Sequence, residues 1–439
     1  MKTVAPALFY LILFLSVACC EDIGGDFDYD RHDADCPLVT GLFPDLARFD
    51  EIVEVRGANF FSRDPQQYEV YIDGKLIDRS RIVEVPNDST LRFRVPEKAG
   101  SGQVQIKLPY LACNGTTSDG PSFTYQYTVG SSVIFAGDSA STECTDCLHG
   151  PRGLEVDPEG DLWVADYTHN VVREIRPNGG RGTIIRTIGQ RNTLPECTCV
   201  NAPNSIDEAV CFFFPSDLAL GQGDDVFVIE SESEKQLISR ISKNKDGGCF
   251  LYAGNCDGTP GDCTGQFDLV FPSSIAWDNI GKTHYIVDNS RITTIAQGCN
   301  TSTLPFPDGQ NQLAVAIDIN PSRSDNQPTV LYWNATDQLY RLARIASDKN
   351  LAPVPMINSP FLMPVALTSD KKGNFFLVDR DANQVFIVYA NGQVLPLFDG
   401  ASSPLNAPAG IVLDENADDG SILYLSDTGN NIIRAFFLK

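Results

Sequence analysis

One phrase recurs six times down the second half of this chain, and few folds can use such a repeat. It runs RGLEVD, LWVAD, NVVREI and GTIIRTIG from Arg152. It returns from Asp217 as DLALG, DVFVIE, LISRIS and CFLYAG. It returns again near Ser274, Ala314, Pro364 and Gly410. Each unit is three or four short apolar strands separated by Gly, Asp, Asn and Pro. A period of roughly 40–50 residues built this way predicts a β-propeller with one four-stranded sheet per blade.

The last unit has only three strands before Lys439. The run Ser132-Val133-Ile134-Phe135-Ala136-Gly137 has the apolar-then-Gly ending of Leu251-Tyr252-Ala253-Gly254. An upstream strand that completes the final blade would close the ring and remove both sheet edges. This arithmetic favours six blades over five or seven.

Three units carry the turn Asp-x-x-x-Asn-x-[Ile/Val]: Asp166 to Val172, Asp379 to Val385 and Asp427 to Ile433. That turn resembles the NHL repeat. Units two, three and four depart from it, with Glu230, a shortened turn after Asp288, and Asn334. The resemblance implies a propeller and leaves activity open, since propellers of this type include binding platforms, scaffolds and a few enzymes.

Residues 37–129 read as a separate β-unit. Period-two strands are expected at 52–55, 70–72, 82–85, 91–95, 104–108 and 123–127, as in an antiparallel sandwich. The run from Ile52 through Gly57-Ala58-Asn59-Phe60, followed by Val95-Pro96 and Gly102-Gln103-Val104, resembles the IPT/TIG domain. That resemblance implies an immunoglobulin-like fold with binding or spacing roles and no catalytic residues.

Residues 1–20 read as a signal peptide, with an apolar run from Ala5 to Ala18 too short for a membrane span. Ser16-Val17-Ala18-Cys19 is close to a bacterial lipobox, so lipid anchoring through Cys19 is the alternative. No transmembrane segment is expected. Residues 21–36 hold Asp22, Asp26, Asp28, Asp30, Asp33 and Asp35 and few apolar side chains, which predicts a flexible acidic arm.

The chain has 13 cysteines, more than a reducing compartment would favour. Beyond the leader, the disulfide candidates are Cys36, Cys113, Cys144, Cys147, Cys197, Cys199, Cys211, Cys249, Cys256, Cys263 and Cys299. Asn87, Asn114, Asn300 and Asn334 are candidate glycosylation sites. The formal charge of −24 disfavours nucleic acid and anionic membranes as partners.

Long crossings precede units one, two and three (138–150, 190–214 and 255–270), and loops the sheets do not need often carry binding. Within them, Phe212 and Phe213 are expected as exposed contacts, with Cys197 and Cys199 stapling the loop beside them. Phe214 and Phe271, each before a Pro, are expected to anchor.

Enzymatic signals are thin. The chain has 4 histidines, His32, His149, His169 and His284. Only His149 falls near a channel-lining strand, too few for the zinc site of a propeller lyase. No Gly-x-Ser-x-Gly elbow or Ser-His-Asp set is found. Asp157, Asp278, Asp318 and Asp414 follow innermost strands, and Asp166, Asp288, Asp379 and Asp427 follow second strands. Recurrence by repeat number reads them as turn residues; calcium in the channel, as in lactonases of similar shape, is the alternative. Otherwise no cofactor or metal is expected.

The sequence thus predicts an exported, non-enzymatic binding or structural protein that engages an extracellular protein, a glycan or another copy of itself. A filament subunit with head-to-tail contacts is the second reading. A channel enzyme, lyase or lactonase-like, is the third.

Overall fold

A computed structural model describes residues 36–439 except 98, 110–119, 139, 141–145, 190–211, 233–234, 244–248, 255–268, 290, 305–311, 321–322, 324–325, 399–403 and 418–420. The described chain is all-β, and its sheets of four strands fit a propeller. The sequence readings of residues 1–35, including Cys19 and His32, lie outside the described residues. So do Cys113, Asn114, Cys144, Cys197, Cys199, Cys211, Cys256, Cys263 and Phe267.

The chain divides into two compact units, a smaller one centred on Glu54–Phe93 and a larger one containing Ser122–Lys439. Near the N-terminus, Leu38–Phe43, Ile52–Ala58, Thr90–Arg94 and Ile82–Asn87 pair in one sheet. A second sheet holds Leu46–Ala47, Ser122–Tyr125, Gly102–Lys107, Glu69–Ile72 and Lys75–Leu76. Alternate residues are buried in these strands, Val53 and Val55, Val70 and Ile72, Leu91 and Phe93, Val104 and Ile106. One apolar face per strand is what a period-two pattern produces.

In the larger unit, six four-stranded sheets follow the six sequence units. Their innermost strands are Pro151–Val156, Pro215–Leu220, Pro272–Asp278, Gln312–Asp318, Pro364–Ser369 and Gly410–Asp414. Each lies against the innermost strand of the next sheet, and the last lies against the first. The sixth sheet takes its outer strand from upstream. Val129–Gly137 pairs antiparallel with Ile432–Leu438, supplying the strand the last unit lacks.

The repeated Asp is a backbone clamp. Asp166 at the end of a second strand accepts the His149 N–H at 2.8 Å. Asp288 accepts those of Val270 and Phe271, Asp379 those of Leu362 and Met363, and Asp427 that of Asn406. Each ties the chain arriving from the previous sheet to its own sheet. Glu230, the departure in the second unit, does the same for the Phe213 N–H at 2.8 Å.

The Asn of the turn reaches the other way. Asn170, Asn383 and Asn431 sit at φ of 57°, 51° and 58°, a left-handed conformation that Asn tolerates better than most residues. From there their Oδ1 atoms accept the N–H of Phe214, Ala407 and Gly150 in the following sheet, at 3.0, 2.7 and 2.9 Å. The Asn431 bond joins the last sheet to the first.

Close approach at the ring's centre uses glycine. A Cβ on Gly153 would lie 2.5 Å from Asp217 Cα in the neighbouring sheet. The obstacle is backbone, so Gly153→Ala should cost about 1–3 kcal/mol by overpacking. A urea titration that shows no loss would mean that the two innermost strands lie farther apart.

Candidate functional site: the axial cavity

The six innermost strands enclose a cavity of ≈ 300 Å³, lined by Gly153–Glu155, Asp217, Ser274, Asp318, Thr368 and Gly410 among others. Three carboxyl groups from three different sheets, Glu155, Asp217 and Asp318, meet this space. Each lines the cavity and is half-buried.

Burial disfavours the charged form of each. It pushes Asp217 up to about 6, against hydrogen bonds from the Ile275 N–H and the Ser274 hydroxyl that favour the anion. It likewise pushes Asp318 up to about 6, against the Ser369 hydroxyl and the Arg323 charge. Glu155 is raised well above the usual carboxylate range, by burial first and then by Asp318, Asp217 and Asp157. All three carboxyls therefore hold their protons to a higher pH than a solvated carboxylate does.

Two of the three also have structural work. Asp217 accepts the Ile275 N–H of the next innermost strand at 2.9 Å. Asp318 accepts the Ser369 hydroxyl of the next at 2.6 Å. Ser274 continues the pattern by accepting the Ile317 N–H at 3.2 Å. Glu155 has no such bond and is the group the ring does not use. The turn reading of Asp318 is thus corrected: it faces the cavity, whereas Asp157, Asp278 and Asp414 do bond turn amides.

The raised carboxyls link stability to pH. A native carboxyl titrating near 6 keeps a proton that its unfolded counterpart loses near 4. Its contribution is whole below about 4 and is lost as pH rises through 6. Asp217→Asn does not titrate, so it should stabilise on the order of 1 kcal/mol at pH 7.5, after discounting for water in the cavity, and nothing at pH 4. Urea midpoints at the two pH values read the difference; an equal effect at both would show that Asp217 titrates normally.

Another carboxylate group could hold a metal: Asp157, Asp161 and Glu174 are buried, with ligand atoms within 4.8 Å of one another. Their environment is already cationic. Lys243 Nζ lies 2.9 Å from Asp157 and Arg176 lies 2.6 Å from Asp161, so the cluster reads as an ion-pair network.

Of the histidines within the described residues, His149 and His169 are in ring contact and His284 lies in a separate aromatic cluster. His169 is buried against Asp166, with Nδ1 2.8 Å from its Oδ2. The His149 and His169 rings stack edge-on at 5.4 Å. His284 is enclosed by Phe227, Tyr252 and Trp277, and burial lowers it to about 3. It is a neutral core residue. The third-strand arginines have acidic neighbours, with Arg173 on Asp166, Arg434 on Asp427 and Arg240 3.8 Å from Asp225.

The aromatic expectation is reversed. Phe212 and Phe213 are 1% and 5% exposed. Phe212 fills the space between the first two sheets with Trp163, Ile188 and Leu218, and Phe213 packs with Leu237 and Leu251. Their position just before the clamped turn drives them inward, because Glu230 holds the Phe213 amide inside the sheet edge. Phe271, expected to anchor, is 57% exposed.

Of the cysteines within the described residues, Cys147 and Cys249 are buried. Cys36 precedes the first strand and Cys299 lies in a turn. Asn87 and Asn300 are exposed, and Asn334 is half-buried. No helix among the described residues is long and apolar enough to cross a membrane.

No family model matches the chain, and no curated protein does. The likeness is to solved structures, which are propeller-type proteins. A protein of unknown function from Bacteroides thetaiotaomicron aligns over 92% of this chain and 98% of its own, at 14% identity and a TM-score of 0.52. An auxiliary nutrient binding protein from Bacteroides ovatus aligns over 93% and 99%, at 15% identity and a TM-score of 0.47. A virginiamycin B lyase from Staphylococcus aureus aligns over 72% and 99%, at 14% identity and a TM-score of 0.43. An enzyme among these neighbours is the finding that stands against the expectation of a non-enzymatic chain. At 14% identity and a TM-score of 0.52, the first of these shows a shared fold alone.

Proposed function

We propose that this chain is an exported, ligand-binding protein in which a six-bladed propeller holds a small molecule in its axial cavity. The observation that carries this reading is the convergence of Glu155, Asp217 and Asp318 on one cavity, with burial raising the titration of all three. A protonated carboxyl both donates and accepts a hydrogen bond, which suits a hydroxyl-bearing ligand. The same groups are placed to exchange a proton with that ligand, so turnover is assayed alongside binding.

The domain plan that goes with it is a leader over 1–20, an acidic arm over 21–36, an IPT/TIG-type sandwich over 37–129 and the propeller over 130–439. Cell-surface or extracellular residence is supported by cysteine use, including Cys36, Cys147 and Cys299 in disulfide form. The binding site proposed here is the cavity rather than Phe212 and Phe213. The reading requires no cofactor; a calcium ion held by the three carboxyls would be seen as stoichiometric metal.

The test is a thermal-shift and calorimetric screen of monosaccharides and polyols, repeated on Glu155→Gln and Asp318→Asn. Hits should weaken about tenfold in at least one variant, the cost of a hydrogen bond in an enclosed site. Hits that bind both variants like the parent would place the ligand elsewhere.

A further inference from the structure

Every charged side chain that lines the axial cavity, among the described residues, is acidic. Asp224 joins Glu155, Asp217 and Asp318, and no Lys, Arg or His stands with them. The lining runs past the innermost strands to Pro158, Gly223, Asn279 and Ile319, in the connections to the second strands. The undescribed residues of those connections, 321–322, 324–325 and 418–420, are Pro, Ser, Asp and Gly. Two basic side chains lie close by. The Arg323 charge is felt at Asp318, but its guanidinium carbon is 5.6 Å from the centre of the Phe375 ring, and its Nη atoms donate to Thr329 and Gln327 at 3.4 Å. His284 packs on Trp277 of the wall, with ring centres 4.5 Å apart. Burial lowers it to about 3, so it is neutral.

The wall carboxyls feel one another instead. Burial raises Glu155 first, and the charges of Asp318, Asp217 and Asp157 raise it further. Spacing says what could relieve them. Among the described residues, the carboxylate trio with atoms within 4.8 Å of one another is Asp157, Asp161 and Glu174. Glu155, Asp217 and Asp318 stand farther apart, too far to share one bare ion with ion–oxygen distances of about 2.3–2.6 Å. A space of ≈ 300 Å³ has the size of a small-molecule site.

We propose that the ligand of the axial cavity is a small polyhydroxylated primary amine of the amino-sugar class, with its ammonium group on Glu155 and its hydroxyls on Asp217 and Asp318. This rests on the cavity reading above and adds the ligand's charge. Glu155 is the carboxyl that the ring leaves without a hydrogen bond, whereas Asp217 and Asp318 already take one each from a neighbouring strand. An ammonium group is all donor and complements an acceptor that has none. The Trp277 indole in the wall adds to this, since an aromatic face attracts a cation. The empty cavity holds its protons to a high pH because no positive charge in its lining opposes them. A cation that enters favours the ionised wall, so binding and proton release are linked. A neutral sugar has no such effect.

The experiment uses the full-length protein with D-glucosamine and D-glucamine as probes. N-acetyl-D-glucosamine, glucose and sorbitol are the neutral counterparts, and calcium is the bare cation. Calorimetry is run on the parent, Glu155→Gln and Asp318→Asn, with a melting curve for each to establish folding. An amine should bind the parent about 10- to 100-fold more tightly than its neutral counterpart, the worth of a hydrogen bond between charged groups in an enclosed site. The preference should disappear in Glu155→Gln, fall in Asp318→Asn and weaken with salt. In the parent alone, the preference for D-glucamine over sorbitol should grow several-fold from about pH 5 to about pH 7, as the wall gives up protons and the alkylamine keeps its own. Amines that bind no better than neutral sugars, that bind Glu155→Gln as they bind the parent, or whose preference does not grow with pH overturn the inference. The cavity reading then stands if neutral-sugar binding weakens in Asp318→Asn, and falls if it does not. Calcium that binds at one ion per chain and displaces the amines overturns the choice of an ammonium ligand. If no probe binds, both readings fall.

Discussion

Asp166→Ala should be among the most damaging single changes in the propeller, lowering stability by about 3–5 kcal/mol. The carboxylate is fully buried and serves three donors, the His149 N–H, His169 Nδ1 and Arg173 Nε. Its removal leaves the buried Arg173 charge without its carboxylate and unclamps the segment leading into the first innermost strand. Asp166→Asn keeps an acceptor for the His149 amide but loses the charge, so it should fall between parent and Ala. Urea unfolding of the three proteins gives the order. Asn no better than Ala would mean that the charge, and not the amide clamp, carries the effect.

Phe135→Ala should cost a comparable amount, about 3–5 kcal/mol, because a large buried ring is lost and the site can collapse only in part. Phe135 is on the strand that closes the sixth sheet. It is 3% exposed, lies 4.8 Å from the Tyr424 ring and packs with Leu148, Leu154 and Ile175. Gly182 makes room for it, since a Cβ there would be 2.6 Å from the ring. A weakened closing strand also frees Ile432–Leu438 as an unpaired edge, so the variant should aggregate on mild heating. Light scattering during a thermal ramp reports this. A variant as stable and as soluble as the parent would argue that the ring is held closed without that strand.

The architecture was legible because its signals repeat. Six copies of one strand pattern set the sheets, and the missing final strand pointed upstream to Ser132–Gly137. The Asp of the turn read as structural, and it is, through backbone clamps. The cavity was not legible in the same way. Glu155 and Asp217 occupy innermost strands but do not recur from unit to unit, so periodicity is silent about them. Asp318 does recur and was read as a turn residue; its neighbours, not its position, turn it into the cavity. The Phe cluster failed for a related reason. Their place in a long crossing marks Phe212 and Phe213 as surface contacts, whereas both are buried and the Phe213 amide is held by Glu230.

The central claim is that burial in the axial cavity raises the titration of its three carboxyls. Carboxyl-carbon NMR titration of the parent, assigned through Glu155→Gln, Asp217→Asn and Asp318→Asn, measures it directly. The account predicts two resonances with midpoints near 6, from Asp217 and Asp318, and Glu155 titrating well above the usual carboxylate range. Three midpoints near 4, as for solvated carboxylates, would contradict it.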